Sequence, residues 1–248
     1  MKKLIKILTF FICFIAIGQI FGQKIDNETF CSPDTVLIEY REHIKSTIDS
    51  FPPYKVVWCE KYSKIGIRLE IGVSGFLYNR NTKDWIGNHI APNFNFIFVY
   101  DKFNFGFRFK PFTVSPNKEL LFENKILKKE AKVNPIKLDF YVGYSFDLKY
   151  LSIEPYLGVS RNSFFVINQD ELDEIFSIQK VTGFINGITV NKYFNIKKYH
   201  YISVFLNLGY SIVNYKKIHN ELGTNYFESS LGVAYKGFFT RKFVQKIE

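Results

Sequence analysis

Residues 94–109 read FNFIFVYDKFNFGFRF, and no other stretch restricts the fold as tightly. Phe94, Phe96, Phe98 and Tyr100 occupy even positions, whereas Phe103, Phe105, Phe107 and Phe109 occupy odd ones. Asp101-Lys102 lies between them. A two-residue turn there pairs Tyr100 with Phe103, Phe98 with Phe105, Phe96 with Phe107 and Phe94 with Phe109. Directly paired residues share a face, so a hairpin demands this change of parity. All eight aromatics then lie on one face. The other face carries Asn95, Ile97, Val99, Asn104, Gly106 and Arg108. A soluble sheet rarely sets so apolar a face against one holding Arg and Asn. A barrel in a bilayer does so as a rule, with lipid outside and polar filling inside.

The same alternation recurs from Ser63 onward. Ile65, Ile67, Leu69, Ile71 and Val73 alternate with Gly66, Arg68, Glu70, Gly72 and Ser74 in a first strand over about 64–78. After the hairpin, further strands are expected over about 136–146, 151–164, 181–194, 202–212 and 226–239. A turn at Leu148-Lys149 would pair Phe146 with Leu151. Pro155 removes a ladder donor where a closed barrel has no edge, so a bulge is expected there. The total is eight strands. Long links (79–92, 113–135, 165–180 and 214–224) alternate with short ones (Asp101-Lys102, Leu148-Lys149 and 195–200). Long outer loops and tight periplasmic turns are the outer-membrane pattern, and it puts both chain ends in the periplasm. Tyr78, Trp85, Tyr100, Tyr150, Tyr193, Tyr201, Tyr215 and Tyr226 lie near strand ends, where interfacial girdles occur. The ELLFENKILKKEAK run in the second long link allows a short helix.

Before the strands, residues 1–22 form a signal segment: Lys2, Lys3 and Lys6, then a mostly apolar run with small residues at Ala16 and Gly18. The formal charge is +10; those three lysines leave with the signal, and +7 remains, spread without a block. Such a balance suits solubility and anionic headgroups, and the absence of a basic cluster argues against nucleic acid. Residues 23–62 are expected as a periplasmic segment, with an amphipathic helix over 35–50 on a stripe of Val36, Tyr40, Ile44 and Ile48. Cys13 leaves with the signal. Cys31 and Cys59 remain in an oxidising compartment, where a disulfide is expected. The barrel is expected over 63–240 and a periplasmic tail over 241–248.

These residues resemble the outer-membrane β-barrel domain family of Bacteroidota, similar to PorT-like and OmpA-like eight-stranded barrels, over about 60–240. The likeness is carried by IEPYLGVS at 153–160, by Gly143-Tyr144, Gly209-Tyr210 and Leu231-Gly232, and by the last strand, SSLGVAYKGFF. That strand resembles the assembly signal of such barrels at Ser230, Gly232 and Tyr235, with Gly237 where a bulky residue belongs. The resemblance implies an all-β, eight-stranded antiparallel up-and-down transmembrane barrel in the outer membrane. It implies no shared activity.

Inward charges at Arg68, Glu70, Arg108, Asp139, Glu154 and Glu228, with Lys137 and Lys236 beside them, should form a paired polar filling, because an eight-stranded barrel is only wide enough for side chains. Phe94, Phe96, Phe98, Phe103, Phe105, Phe107 and Phe109 form a lipid- or partner-facing wall. The links hold basic and acidic groups: Lys118, Lys125, Lys128, Lys129 and Lys132 in one, Asp170, Glu171, Asp173 and Glu174 in another. No metal or cofactor is expected from the spacing of His, Cys and acids. The expected role is non-enzymatic: anchoring, or an accessory subunit of an envelope complex, with membrane lipid and an envelope protein as partners. Two alternatives stand beside it. One is a lipid-modifying enzyme using His89 or His219 with Ser160 or Ser163. The other is a narrow pore.

Overall fold

A computed structural model describes residues 29–38, 54–122, 125–127, 132–148, 151–167, 175–197, 199–217, 219–220 and 222–247. Nine main strands follow in chain order: β1 (Thr29–Ile38), β2 (Tyr54–Tyr78), β3 (His89–Tyr100), β4 (Phe103–Pro111), β5 (Lys132–Tyr144), β6 (Ser152–Ile167), β7 (Ile175–Lys197), β8 (His200–Val213) and β9 (Asn225–Ile247). Strands β2 to β9 each pair antiparallel with their chain neighbours, and β9 returns to β2, closing an eight-stranded barrel. Closure leaves no strand edge within the barrel wall, so every ladder there can be satisfied internally, as a bilayer requires.

The founding hairpin has the expected register, with Tyr100 opposite Phe103 and Phe94 opposite Phe109. Asp101 takes the turn with a positive φ of 54°, a conformation that Asp tolerates better than most residues. Side-chain parity then decides burial. In β3 and β4, Asn95, Ile97, Val99, Asn104, Gly106 and Arg108 are buried, and their aromatic neighbours from Phe94 to Phe107 are exposed. Phe109 is half-buried.

Several expectations are corrected. Residues 35–38, expected to open a helix, belong to β1, which pairs antiparallel with β2; β-branched Thr35, Val36 and Ile38 suit a strand. The rest of the expected helix, 39–50, lies outside the described residues, as do the signal segment and the acids at 170–174. The expected helix in the second long link gives way to a small hairpin, Leu120–Phe122 against Lys125–Leu127. The turn after β5 is displaced: Leu148 N–H donates to the Leu151 carbonyl at 2.7 Å, and Phe146 faces Ile153 rather than Leu151. Phe146 is buried instead of outward, its ring 5.0 Å from that of Tyr144. No bulge forms at Pro155, which pairs with Ile188 in an unbroken stretch of β7. On its other side, the β5–β6 ladder is interrupted between Gly143–Tyr156 and Phe146–Ile153, so the missing donor falls in a gap.

The strands are also longer than their alternation suggests. β2 begins at Tyr54 and β9 continues to Ile247, pairing with each other past the rim, with β1 added on the other edge of β2. β6 and β7 extend to Ile167 and from Ile175, which shortens the third link.

Candidate functional site

The lumen is filled in tiers. Nearest the short turns, β2 supplies Arg68 and Glu70, β6 supplies Glu154 and β7 supplies Tyr193. The Arg68 guanidinium donates to both Glu154 oxygens at 2.6 Å and to the Tyr193 hydroxyl at 2.9 Å, while its Nε lies 3.0 Å from Glu70. This planar fork matches a carboxylate in two bonds at once. Ser152 donates to Glu154, and Asn95 joins Glu70 to the Tyr141 hydroxyl. Lys236 completes the tier with its ammonium 5.0 Å from the ring centres of Tyr193 and Phe238.

In the middle tier, Arg108 is gripped by aromatic faces. Its guanidinium carbon stands 4.8 Å from the Tyr141 ring and 5.0 Å from the Tyr156 ring. Gly106 makes the arrangement possible: a Cβ there would sit inside the Tyr141 ring. The Tyr156 hydroxyl donates to Asn207, whose amide donates to Thr189.

In the third tier, β4 and β5 place Lys110 directly opposite Lys137. Like charges so placed repel. Glu228 of β9 relieves the clash by contacting both: Lys110 through one oxygen, Lys137 through the other at 2.5 Å. Asp139 lies 3.5 Å from Lys110 and 3.4 Å from Lys137. Across the described lumen, five buried cations (Arg68, Arg108, Lys110, Lys137, Lys236) meet four buried carboxylates (Glu70, Asp139, Glu154, Glu228). Near-balance of this kind is what burial of charge requires.

Above these tiers the mouth is closed. Phe76, Tyr78, Trp85, Ile86, Val213, Tyr215, Leu222 and Tyr226 form an apolar cluster with His89 and Phe112 stacked against it, their rings 3.9 Å apart. A short helix, α1 (Arg80–Ile86), drops Trp85 and Ile86 into the opening. Thr82 accepts a bond from the Gly223 N–H, tying the first long link to the last. In the last link, burial pushes the Tyr215 phenol well above its ordinary range.

The structure thus joins Arg68, Glu70 and Glu154 in one tier, Asp139, Lys137 and Glu228 in another, and sets Arg108 between them. Sequence reasoning missed Lys110, although it shares the inward parity of Arg108 two residues earlier. Alternation does place Tyr141 and Tyr156 inward, but not their grip on Arg108, and the inward turn of Tyr193 toward Arg68 was missed. The expected girdle is corrected in part: Tyr78, Trp85, Tyr215 and Tyr226 are buried in the mouth, and Tyr193 is turned inward, while Tyr100 is exposed. The aromatic bodies of the first four fill the mouth, packing with Phe76, Ile86 and Leu222. Of the residues considered for catalysis, His89 packs on Phe112 and Phe76, and Ser160 and Ser163 are buried, Ser160 accepting a bond from Asn162.

The outer wall is apolar on every barrel strand, with Ile71, Phe96, Phe105, Phe140, Leu157, Phe184, Leu206 and Leu231 among its exposed side chains. An open trough of about 460 Å³ crosses it, lined by Phe96, Phe105, Phe107, Phe140, Val142 and Leu157.

No family model and no curated protein matches the chain. Among solved structures it is similar to Neisserial surface protein A, at 10% identity and a TM-score of 0.44, over 71% of this chain and 98% of that one. It is similar to Ail, the attachment invasion locus protein of Yersinia pestis, at 12% identity and a TM-score of 0.41, over 69% and 97% of the two chains. It is similar to OprG of Pseudomonas aeruginosa at 12% identity and a TM-score of 0.40, over 73% and 97%. At these scores the likenesses add no argument about role, which rests on this chain's own residues.

Proposed function

We propose that this chain is a structural outer-membrane barrel that anchors or supports an envelope assembly and carries out no catalysis. The observation that carries the reading is one wall with opposite chemistry on its two faces. Outward side chains are apolar all the way round, and inward charges are paired and packed. Arg68 and Arg108 are 1% and 2% exposed, so side chains fill the cross-section at both levels. That speaks against a pore as well as against an open catalytic cleft. The wall would face hydrocarbon, with the long links outside the cell and both chain ends in the periplasm. A signal segment at 1–22 and kinship with the Bacteroidota barrels belong to the same reading. So does a disulfide: Cys31 stands directly opposite Cys59 in the β1–β2 register.

The test is fractionation followed by mild-detergent purification. The chain should remain with outer membranes after an alkaline wash, bring down an envelope protein in fixed ratio, show no steps of conductance in planar bilayers, and lose two hydrogens in intact mass relative to the reduced form. A chain that is soluble without detergent, or lipid A whose mass changes on deletion of the gene, overturns the reading.

A further inference from the structure

Past the barrel rim, β2 and β9 do not end. β3 pairs with β2 only from Ile65 onward, and β8 pairs with β9 only up to Gly237. Beyond a register shift between Phe238 and Thr240, residues Thr240–Ile247 of β9 continue along Tyr62–Lys55 of β2. β1 flanks the same stretch of β2 from the other side. The result is a three-stranded blade, β1-β2-β9, standing off the short-turn end. Its β9 margin has no strand against it among the described residues. At roughly 3.4 Å per residue this margin is about 27 Å of unpaired backbone.

We propose that this β9 edge, Thr240–Ile247, is a docking edge that takes an acidic, extended polypeptide segment as a fourth strand. The proposal rests on the anchoring role above and names the partner class for it. An open ladder edge is a template for strand addition, in which backbone bonds give affinity and side chains give choice. The blade's two edges differ in fitness for this. β1 carries Pro33 inside a register shift between Cys31 and Thr35, which removes a donor and breaks the pairing line. The β9 edge holds no proline.

Charge then selects the occupant. The three blade segments carry five basic residues, Lys55, Lys61, Arg241, Lys242 and Lys246, against two acids, Asp34 and Glu60. Arg241 and Lys242 are exposed. Glu60 stands opposite Lys242, and Lys61 stands opposite Arg241, so the excess is not cancelled across the ladder. A second copy laid antiparallel over the full edge would set Arg241 opposite Lys246 at both ends of the pairing, which like-charge repulsion disfavours. An acidic strand gains from the same groups.

The experiment uses the full exported chain in detergent micelles and a labelled eight-residue peptide alternating Glu with Val. Three companions are a Lys-Val peptide, a Glu-Val peptide N-methylated at alternate residues, and vesicles with or without phosphatidylglycerol. Expected results are saturable binding of the Glu-Val peptide, binding at least about tenfold weaker for the N-methylated and Lys-Val peptides, and slower amide exchange over 240–247 on binding. The triple change Arg241→Glu, Lys242→Glu, Lys246→Glu should reverse the preference while leaving exchange in β3 to β6 unchanged. Equal binding of the N-methylated peptide overturns strand addition in favour of simple charge attraction. Edge amides already protected without peptide mean that the chain covers its own edge, and overturn the proposal. So does capture by anionic vesicles but not by peptide. Each of these failures leaves membrane fractionation, and with it the anchoring role, unaffected.

Discussion

Near the short turns, one arginine faces two carboxylates; toward the long links, two lysines face two carboxylates. Arg68 spends a rigid fork on Glu154, a third contact on Glu70 and a further bond on Tyr193. Lys110 and Lys137 are point charges sharing Glu228, with Asp139 at longer range. The first tier therefore has redundancy, since losing either acid leaves Arg68 another. The third tier leans on Glu228, since Asp139 meets the same two lysines only at 3.4–3.5 Å. The contrast follows from side-chain shape: a guanidinium can be satisfied by several fixed partners, whereas two neighbouring ammoniums need a common anion between them.

The sharpest way to break this comparison is to remove the shared anion. Glu228→Ala leaves two buried lysines in repulsion and should cost about 3–5 kcal/mol, the range for stripping one partner from a buried ion pair. Urea titration in phosphocholine vesicles, followed by fluorescence of the two tryptophans, measures it. Glu154→Ala should cost clearly less, because Glu70 still faces Arg68. Equal losses at the two positions would show that the tiers are equally dependent on a single acid. Next in size, Arg68→Lys keeps the charge but loses the paired bonds to Glu154, for about 2–3 kcal/mol. A loss near zero would mean that charge alone, not the fork, holds the first tier.

These tiers were partly legible in the sequence. Strict alternation put Arg68, Glu70, Arg108, Asp139, Glu154 and Glu228 on inward positions, and the period of two leaves no other choice once one face must be apolar. The hairpin register followed from parity alone. Which charge meets which did not, because partners such as Arg68 and Glu154 are 86 residues apart and their meeting depends on barrel closure and strand stagger. Lys110 was lost because the hairpin was bounded by its aromatic ladder, which ends at Phe109. The mouth cluster was lost for a related reason: Tyr78 and Tyr226 near strand ends look like a membrane girdle, although they share the inward parity of Arg68 and Glu228, and Tyr215 lies in a link where parity says nothing. The blade was lost because residues 54–61 and 241–247 lack the apolar-polar alternation of a lipid-facing wall, having no lipid to face.

Arg108 lies between the two tiers and tests whether they are mechanically linked. Gly106→Ala forces the Tyr141 ring off its seat over the neighbouring strand and loosens the aromatic grip on Arg108. The expected cost is about 1–2 kcal/mol, as for other overpacked sites. Combined with Asn95→Ala, which already frees the Tyr141 hydroxyl, the losses should fall short of additive. Strict additivity would mean that Tyr141 is held independently at its two ends.

The smallest effect is expected where the same chemistry sits in water. Lys64 and Asp101 form an ion pair at 3.2 Å, a distance comparable to those in the lumen, yet their side chains are 51% and 47% exposed. Solvent screens their attraction, and holding two mobile side chains together costs entropy that a packed lumen has already lost to its surroundings. Lys64→Ala should therefore change stability by less than about 1 kcal/mol, and that small loss should shrink further in about 1 M salt. The loss for Glu228→Ala should persist in the same salt, because ions do not reach a sealed tier. If both mutants respond to salt alike, water and ions reach the third tier, and the closed mouth above it is open in solution.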